Sequence, residues 1–180
     1  MGLFGPLNPP LPAWPEARVW VIGASTGIGA ATAKMLLDAG ARVALSARST
    51  DKLHEVAGGH TNAIVEPLDF TRGADVAAAW DRIRARWGGV DLVLIVAGTH
   101  KEMRAWELNE KDSRALLEIN LHAVINTTGV LVPGLLAQGS GAIGIVASVA
   151  GYRGLPKALV YGASKAAVIN FTETLYLDLH

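Results

Sequence analysis

The sequence predicts an α/β protein built on a doubly wound parallel β-sheet with helices on both faces. Short apolar runs alternate five times with helix-forming stretches, and each alternation suits a right-handed crossover between parallel strands. The first run enters a glycine-rich turn, Gly23-Ala24-Ser25-Thr26-Gly27-Ile28-Gly29, and leaves it in a helix. The residues with chemical potential, Gly23 to Gly29, Arg48, Asp69, Gly98 and Ser148, each fall just beyond a predicted strand. That is the edge at which such sheets bind ligands.

Composition narrows the class. At 180 residues the chain is about one domain, 51% hydrophobic, with 16 basic against 16 acidic side chains. That balance gives no electrostatic footprint for nucleic acid or an acidic membrane. Without cysteine, neither a disulfide nor a thiolate metal site can form, and His54, His60, His100, His122 and His180 lack ligand spacing. No metal is expected. No uninterrupted apolar run reaches the roughly 18 residues of a membrane span, and no signal-peptide pattern opens the chain. A soluble cytoplasmic protein is the expectation. Residues 1–17, carrying Pro6, Pro9, Pro10, Pro12 and Pro15, read as an extended proline-rich arm that Leu11 and Trp14 would anchor. Residues 18–180 form the domain.

The first strand is Arg18–Ile22, and the helix after the glycine turn runs from Ala30 to Ala39, with Gly40 placed to end it. Gly23 permits the tight turn, Gly27 lets the backbone approach a pyrophosphate, and Gly29 lets the helix pack closely on the strand. The amides at the helix start, in a turn that also holds Ser25, Thr26 and Ile28, attract the anion. The second strand, Arg42–Ser46, ends at Ala47-Arg48. A carboxylate near this point would grip a ribose 2′-hydroxyl, whereas an arginine favours a 2′-phosphate. The sequence therefore leans toward NADP(H), with NAD(H) still possible; the bland reading of Arg48 is a solvated loop charge.

A short helix over Asp51–Ala57 and a third strand over Ala63–Leu68 lead to Asp69. That acid reads either as a partner for an adenine amino group or as the N-cap of the next helix. Val76, Trp80, Ile83 and Trp87 mark a core-facing stripe, ended by Gly88-Gly89. Asp91–Val96 is the continuous apolar run of a central strand, and it ends at Gly98, where a small residue admits a ribose. Thr99–Lys111 is polar and irregular, and His100 and Arg104 in it read as surface residues within reach of a substrate. A long helix over Asp112–Leu136 contains Asn120 and is expected to kink or break at Pro133-Gly134. The fifth strand, Ala142–Ala147, delivers Ser148, and residues 149–159 connect to the last helix.

That helix opens with Tyr161-Gly162-Ala163-Ser164-Lys165, which puts Tyr161 and Lys165 one turn apart on one face. A phenol titrates near pH ~10 when unperturbed. A neighbouring ammonium favours the phenolate and moves it toward neutrality, making a proton-transfer pair at physiological pH. Ser148 adds a hydroxyl that would hold a reacting oxygen. Taken alone, the pair also reads as a helix surface with a snorkelling lysine.

From about Val19 onward the chain resembles the short-chain dehydrogenase/reductase family. The family's Thr-Gly-x-x-x-Gly-x-Gly appears with Ile22 in place of threonine, its active-site motif appears as Tyr161-Gly162-Ala163-Ser164-Lys165, Ser148 lies thirteen positions before Tyr161, and Asn120 matches the helix asparagine. The resemblance implies a Rossmann-like fold and hydride transfer between a nicotinamide and a small or medium apolar carbonyl or alcohol. It implies that Tyr161 is the acid or base, that Lys165 tunes it and holds the nicotinamide ribose, and that Ser148 orients the substrate oxygen. Asn120 would steady a relay water at a bend in its helix. It further implies a homodimer or homotetramer packed through the Asn120 and Tyr161 helices.

The chain departs from the family in two places. The family's Asn-Asn-Ala-Gly is here Ile95-Val96-Ala97-Gly98, which is expected to remove hydrogen bonds that tie the sheet and to alter cofactor binding. The sixth and seventh strands of the compact branch are missing, so an incomplete sheet, and residues beyond His180, are expected. An epimerase or dehydratase shares Tyr-x-x-x-Lys but not this glycine spacing. A non-catalytic dinucleotide-binding sensor or interaction subunit is the competing class.

Overall fold

The computed structural model describes residues 10–179. The first nine residues, including Pro6 and Pro9 of the arm, and His180 lie outside the described residues. Pro10 to Ala13 is irregular, and Trp14–Glu16 forms one 3-10 turn, with Leu11 39% and Trp14 42% exposed.

The domain then alternates β1 (Arg18–Ile22), α1 (Gly27–Asp38), β2 (Arg42–Ser46), α2 (Thr50–Ala57), β3 (Ala63–Val65), α3 (Gly73–Trp87) and β4 (Leu92–Ile95). It continues through α4 (Glu110–Leu117), a π-helical turn (Glu118–His122), α5 (Ala123–Gln138), β5 (Ala142–Ile145) and α6 (Leu159–Leu179). The five strands are all parallel in the order β3-β2-β1-β4-β5. The order reverses at β1, so the crevice between the C-terminal ends of β1 and β4 is the switch point where such sheets bind ligands.

Strand periodicity splits the core in two. Val19 and Val21 of β1 face a cluster with Ala33, Leu37 and Leu53 from α1 and α2, whereas Trp20 and Ile22 face Val76, Trp80, Ile83 and Leu131 from α3 and α5. Alternate residues of one strand are thus buried on both sides, which is why these strands are apolar throughout. Trp20 and Trp80 stack at 6.0 Å, and α5 approaches them at Gly134, where a Cβ would lie 2.7 Å from Trp80 Nε1.

Several sequence-based expectations are corrected. α1 begins inside the glycine motif, at Gly27 rather than Ala30. β3 stops at Val65, although Glu66 and Leu68 still donate backbone hydrogen bonds to Leu45 and Ala47. The expected break at Pro133-Gly134 does not occur: α5 runs unbroken to Gln138 with Pro133 inside it. Asp69 does not cap α3, whose N-cap is Arg72. Glu110 to Gln138 is a continuous 29-residue helical stretch that is long and apolar enough, by length and composition, to cross a membrane. His122, Asn126 and Thr127 punctuate it, so it is not an uninterrupted apolar run. Leu116, Ala123, Val124 and Leu131 bury one side of it, as in the core helix of a globular domain.

Candidate active site

A cleft of about 580 Å³ opens at the switch point, lined by the Gly23 to Gly29 turn and by Arg48, Asp69 and Gly98. Its floor is built so that backbone comes close. Gly23 has φ +96°, and a Cβ there would lie 2.5 Å from Ala97 N; a Cβ on Gly29 would lie 2.1 Å from Gly23 O. Neither position tolerates a side chain. Gly27 has φ +55° and faces open space, so nothing of the protein fills the volume above it. Thr26, the N-cap of α1, makes no side-chain cap, which leaves the first-turn amides to whatever occupies the cleft. A tight turn, a close strand–helix contact and an uncapped helix start together fit a dinucleotide pyrophosphate.

The turn is anchored from beneath by Ser46, which the sequence reading passed over. Its carbonyl accepts from Gly23 N at 2.7 Å and Ala24 N at 3.0 Å. Its hydroxyl accepts from Trp20 Nε1 at 2.8 Å and donates to Glu66 O at 2.7 Å. Only the three-dimensional pairing of β1 with β2 reveals this role.

Beyond β3, Asp69 lines the cleft, and its Oδ1 accepts from Thr71 N at 3.1 Å and from Thr71 Oγ1 at 2.7 Å. The Thr71 hydroxyl, followed by its amide, holds the Asp69 carboxyl below the usual range, with Arg48 and Arg72 contributing. Arg48 is exposed on the rim, and Lys52 from the first turns of α2 lines the same cleft, a second cation that local sequence did not single out.

The replacement of the two family asparagines does not untie the sheet. Ile95 is 1% exposed in the Trp20 core, and both Val96 N and Ala97 N donate to Ile22 O at 2.9 Å. Side-chain bonding moves to Asn120. That residue is fully buried in the π turn; its Oδ1 accepts from Thr99 N at 2.8 Å and its Nδ2 donates to Thr99 O at 2.8 Å. The amide thus pairs with one residue's backbone as a neighbouring strand would. Nδ2 also approaches Ser164 Oγ at 3.4 Å, and Ser164 in turn donates to Tyr161 O at 2.7 Å. Ser164 is a fully buried link between the two helices that motif reading left without a role.

Tyr161 and Lys165 share one face of α6, with Lys165 Nζ 6.0 Å from the phenol ring centroid. Lys165 is 5% exposed and donates to Val146 O at 2.8 Å. Burial pushes its pKa down, because the charged form is the one that loses water. A Cβ on Gly98 would lie 3.6 Å from Nζ and 3.4 Å from Asn120 Oδ1, so Gly98 borders the same space. β5 stops at Ile145 rather than Ala147, so Ser148 lies three residues beyond it as the N-cap of the next turn, its hydroxyl accepting from Ala150 N at 3.2 Å. The 3-10 turn after it, Val149–Gly151, packs directly on α6: a Cβ on Gly151 would meet Lys165 C at 2.8 Å, and one on Gly162 would meet Ala150 O at 3.0 Å. Asn120 and Lys165 thus border the glycine cleft through Gly98, and Tyr161 and the turn after Ser148 pack around Lys165. His100, expected at the surface, is exposed, yet its ring lies against Tyr161, with centroids 4.6 Å apart. Arg104 stays exposed over Trp106.

Fold and cleft define a dinucleotide-binding domain with a tyrosine–lysine pair at its switch point. The description "short chain dehydrogenase" matches residues 17–180, and the chain belongs to that family. An uncharacterized oxidoreductase of Listeria monocytogenes is 33% identical over 162 residues, which is 88% of this chain and 65% of that protein. One from Staphylococcus saprophyticus is 32% identical over 171 residues, covering 88% and 70%. The chain thus spans about 65% of the length of the Listeria relative. Among solved structures, a short-chain dehydrogenase from Streptomyces avermitilis superposes with TM-score 0.82 at 30% identity, over 88% of this chain and 59% of that one. An actinorhodin polyketide ketoreductase determined with NADPH gives 0.84 at 30% identity, over 92% and 66%.

Proposed function

We propose that this chain is the cofactor-binding and proton-transfer part of an NADP(H)-preferring oxidoreductase acting on a small or medium apolar carbonyl or alcohol. The observation that carries the reading is Gly98, which lines the glycine cleft and whose Cβ would lie 3.6 Å from Nζ of the buried Lys165, the partner of Tyr161 on α6. Gly23, Ser25, Thr26, Gly27, Ile28 and Gly29 would hold the pyrophosphate, Arg48 the 2′-phosphate and Asp69 the adenine. Gly98, Tyr161 and Lys165 would border the nicotinamide ribose. The bound cofactor supplies the hydride.

The protein's own residues handle the oxygen and its proton. In carbonyl reduction Tyr161 gives its phenolic proton to the oxygen as the alcohol forms, and in oxidation it takes that proton back. Lys165, whose Nζ lies 6.0 Å from the phenol ring centroid, would hold the nicotinamide ribose. Ser148 orients the reacting oxygen. The π turn carrying Asn120 opens the helix ladder where a relay water would bind, since such turns release backbone carbonyls. Two copies would pack through the Asn120 and Tyr161 helices.

The test is Tyr161→Phe in the full-length protein. Turnover over a carbonyl panel is expected to fall by roughly 10²- to 10⁴-fold, the usual contribution of a general acid, while NADPH titration is unchanged. Persistent turnover would remove Tyr161 from the mechanism. NADPH binding by the parent protein with no turnover of any carbonyl would instead support a dinucleotide-binding sensor.

A further inference from the structure

We propose that His100 is a positioning residue that sets the orientation of the Tyr161 phenol. This inference rests on the assignment of Tyr161 as the proton donor. The two rings meet nearly at right angles, with centroids 4.6 Å apart and planes at 85°, the edge-to-face arrangement that aromatic pairs prefer. A tyrosine at the start of a helix has two side-chain torsions to settle, and here the imidazole supplies a wall against which they settle.

The wall is itself held at both ends. On one side Thr99 is clamped through its N–H and its C=O by the Asn120 amide, at 2.8 Å each. On the other, Met103 forms a parallel bridge with Ala158, its N–H donating to Lys157 O at 2.8 Å. Met103 is 2% exposed although the segment around it is polar. Glu102 and Lys157 close the strap with an ion pair at 2.9 Å. Lys157 adopts φ +63°, a left-handed conformation that no other non-glycine among the described residues takes. Such a residue persists only where its surroundings over-determine it. Residues 100–102 are therefore strung between two fixed points, and the second point, Ala158, immediately precedes α6. His100 and Tyr161 belong to one unit, built from a segment that follows β4 and a helix that follows β5.

Two variants and two readouts test this in the full-length protein. His100→Ala removes the ring, and His100→Phe keeps an aromatic wall without the nitrogens. His100→Ala is expected to lower kcat about tenfold while NADPH affinity stays within twofold, and His100→Phe is expected to restore most of the loss. Independently of turnover, the ring-proton resonances of Tyr161 report the contact directly. The chain has three tyrosines, and the Tyr161 signals are identified by their absence in Tyr161→Phe. These signals are expected to shift in His100→Ala and to stay displaced in His100→Phe. Unchanged Tyr161 resonances in His100→Ala would overturn the inference, and so would unaltered kcat. A His100→Phe variant as slow as His100→Ala would also overturn it, by making the nitrogen the working part. Failure of Tyr161→Phe to abolish turnover would condemn the proton-donor assignment instead, and the resonances would still read the ring contact.

Discussion

At the scale of single residues, the proposed preference for NADP(H) hangs on few side chains. Arg48 stands on the rim of the cleft with Lys52 beside it and Asp69 across from it, whose carboxylate is already engaged by Thr71. A ribose 2′-phosphate placed there would meet two cations, whereas a 2′-hydroxyl would find no free carboxylate at the end of β2. Arg48→Ala should therefore weaken NADPH roughly ten- to a hundredfold, the worth of one or two hydrogen bonds to a charged group, and change NADH by no more than about twofold. Fluorescence titration with both nucleotides measures the ratio, and equal losses would remove Arg48 from the preference. The sequence alone pointed to Arg48, because the position after the second strand has a known chemical meaning. It did not point to Lys52, which lines the cleft from α2, or to Ser46 and Ser164, which bond to Trp20 and Glu66 and to Asn120 on other segments.

At the scale of elements, what could be read locally was read, and what depends on tertiary contact was not. Strands appeared because an apolar run between turn residues has few other readings, and the helix after the glycine turn appeared through its composition. The π turn at Glu118 to His122 stands where the family resemblance implies a bend at Asn120, but the hydrophobic pattern carries no trace of it, since one extra residue in a turn barely disturbs that pattern. Pro133 is a strong local signal for a kink or a break, yet α5 does not break there, with Leu131 buried in the core and Gly134 packed closely against Trp80. Long-range pairing also fixes the sheet's lower edge. Arg18 Nε and Nη2 donate to Asp91 at 2.9 and 2.6 Å, and Asp91 also accepts from Arg18 N at 2.8 Å, joining the start of β1 to the approach to β4. The Arg18 guanidinium bond, ahead of the backbone bond and the Coulomb attraction, holds the Asp91 carboxyl below its usual range. A carboxyl with a lower pKa in the folded state stabilises it above the unfolded value and loses that contribution as pH falls through the folded value. Thermal stability should accordingly decline from about pH 4 downward. Asp91→Asn should flatten that limb and cost about 1–2 kcal/mol at neutral pH, the partial exposure of Arg18 reducing the effect. Calorimetry across that range decides it, and an unchanged acid limb in the variant would mean the pair contributes nothing.

For the whole molecule, the question is what covers α5. The most apolar window of the Glu110–Gln138 stretch that α5 completes is only 39% buried within the chain, although a helix apolar on all sides is normally buried. The exposed side is ordered rather than random: Ile125 is 39% and Leu136 63% exposed, and Gly129 and Val132 lie between them at helical spacing. α6 presents Leu159, Ala163, Ala166 and Leu177 on its own outward side. Small residues amid leucines let backbones approach closely, and a second copy offers the same stripes in a self-complementary arrangement. Asn120 and Lys165, proposed as functional groups, are buried on the inner side of this helical pair, so association would stiffen them from behind. Ile125→Lys places a charge in the middle of the stripe while leaving the core contacts of α5 untouched. Light scattering coupled to size exclusion should show the parent protein as a dimer or higher, and the variant should dissociate at micromolar concentration with its circular dichroism unchanged. A variant that stays associated as tightly as the parent would move the interface off this face, and the apolar side of α5 would then have to be covered by a different part of the full-length protein.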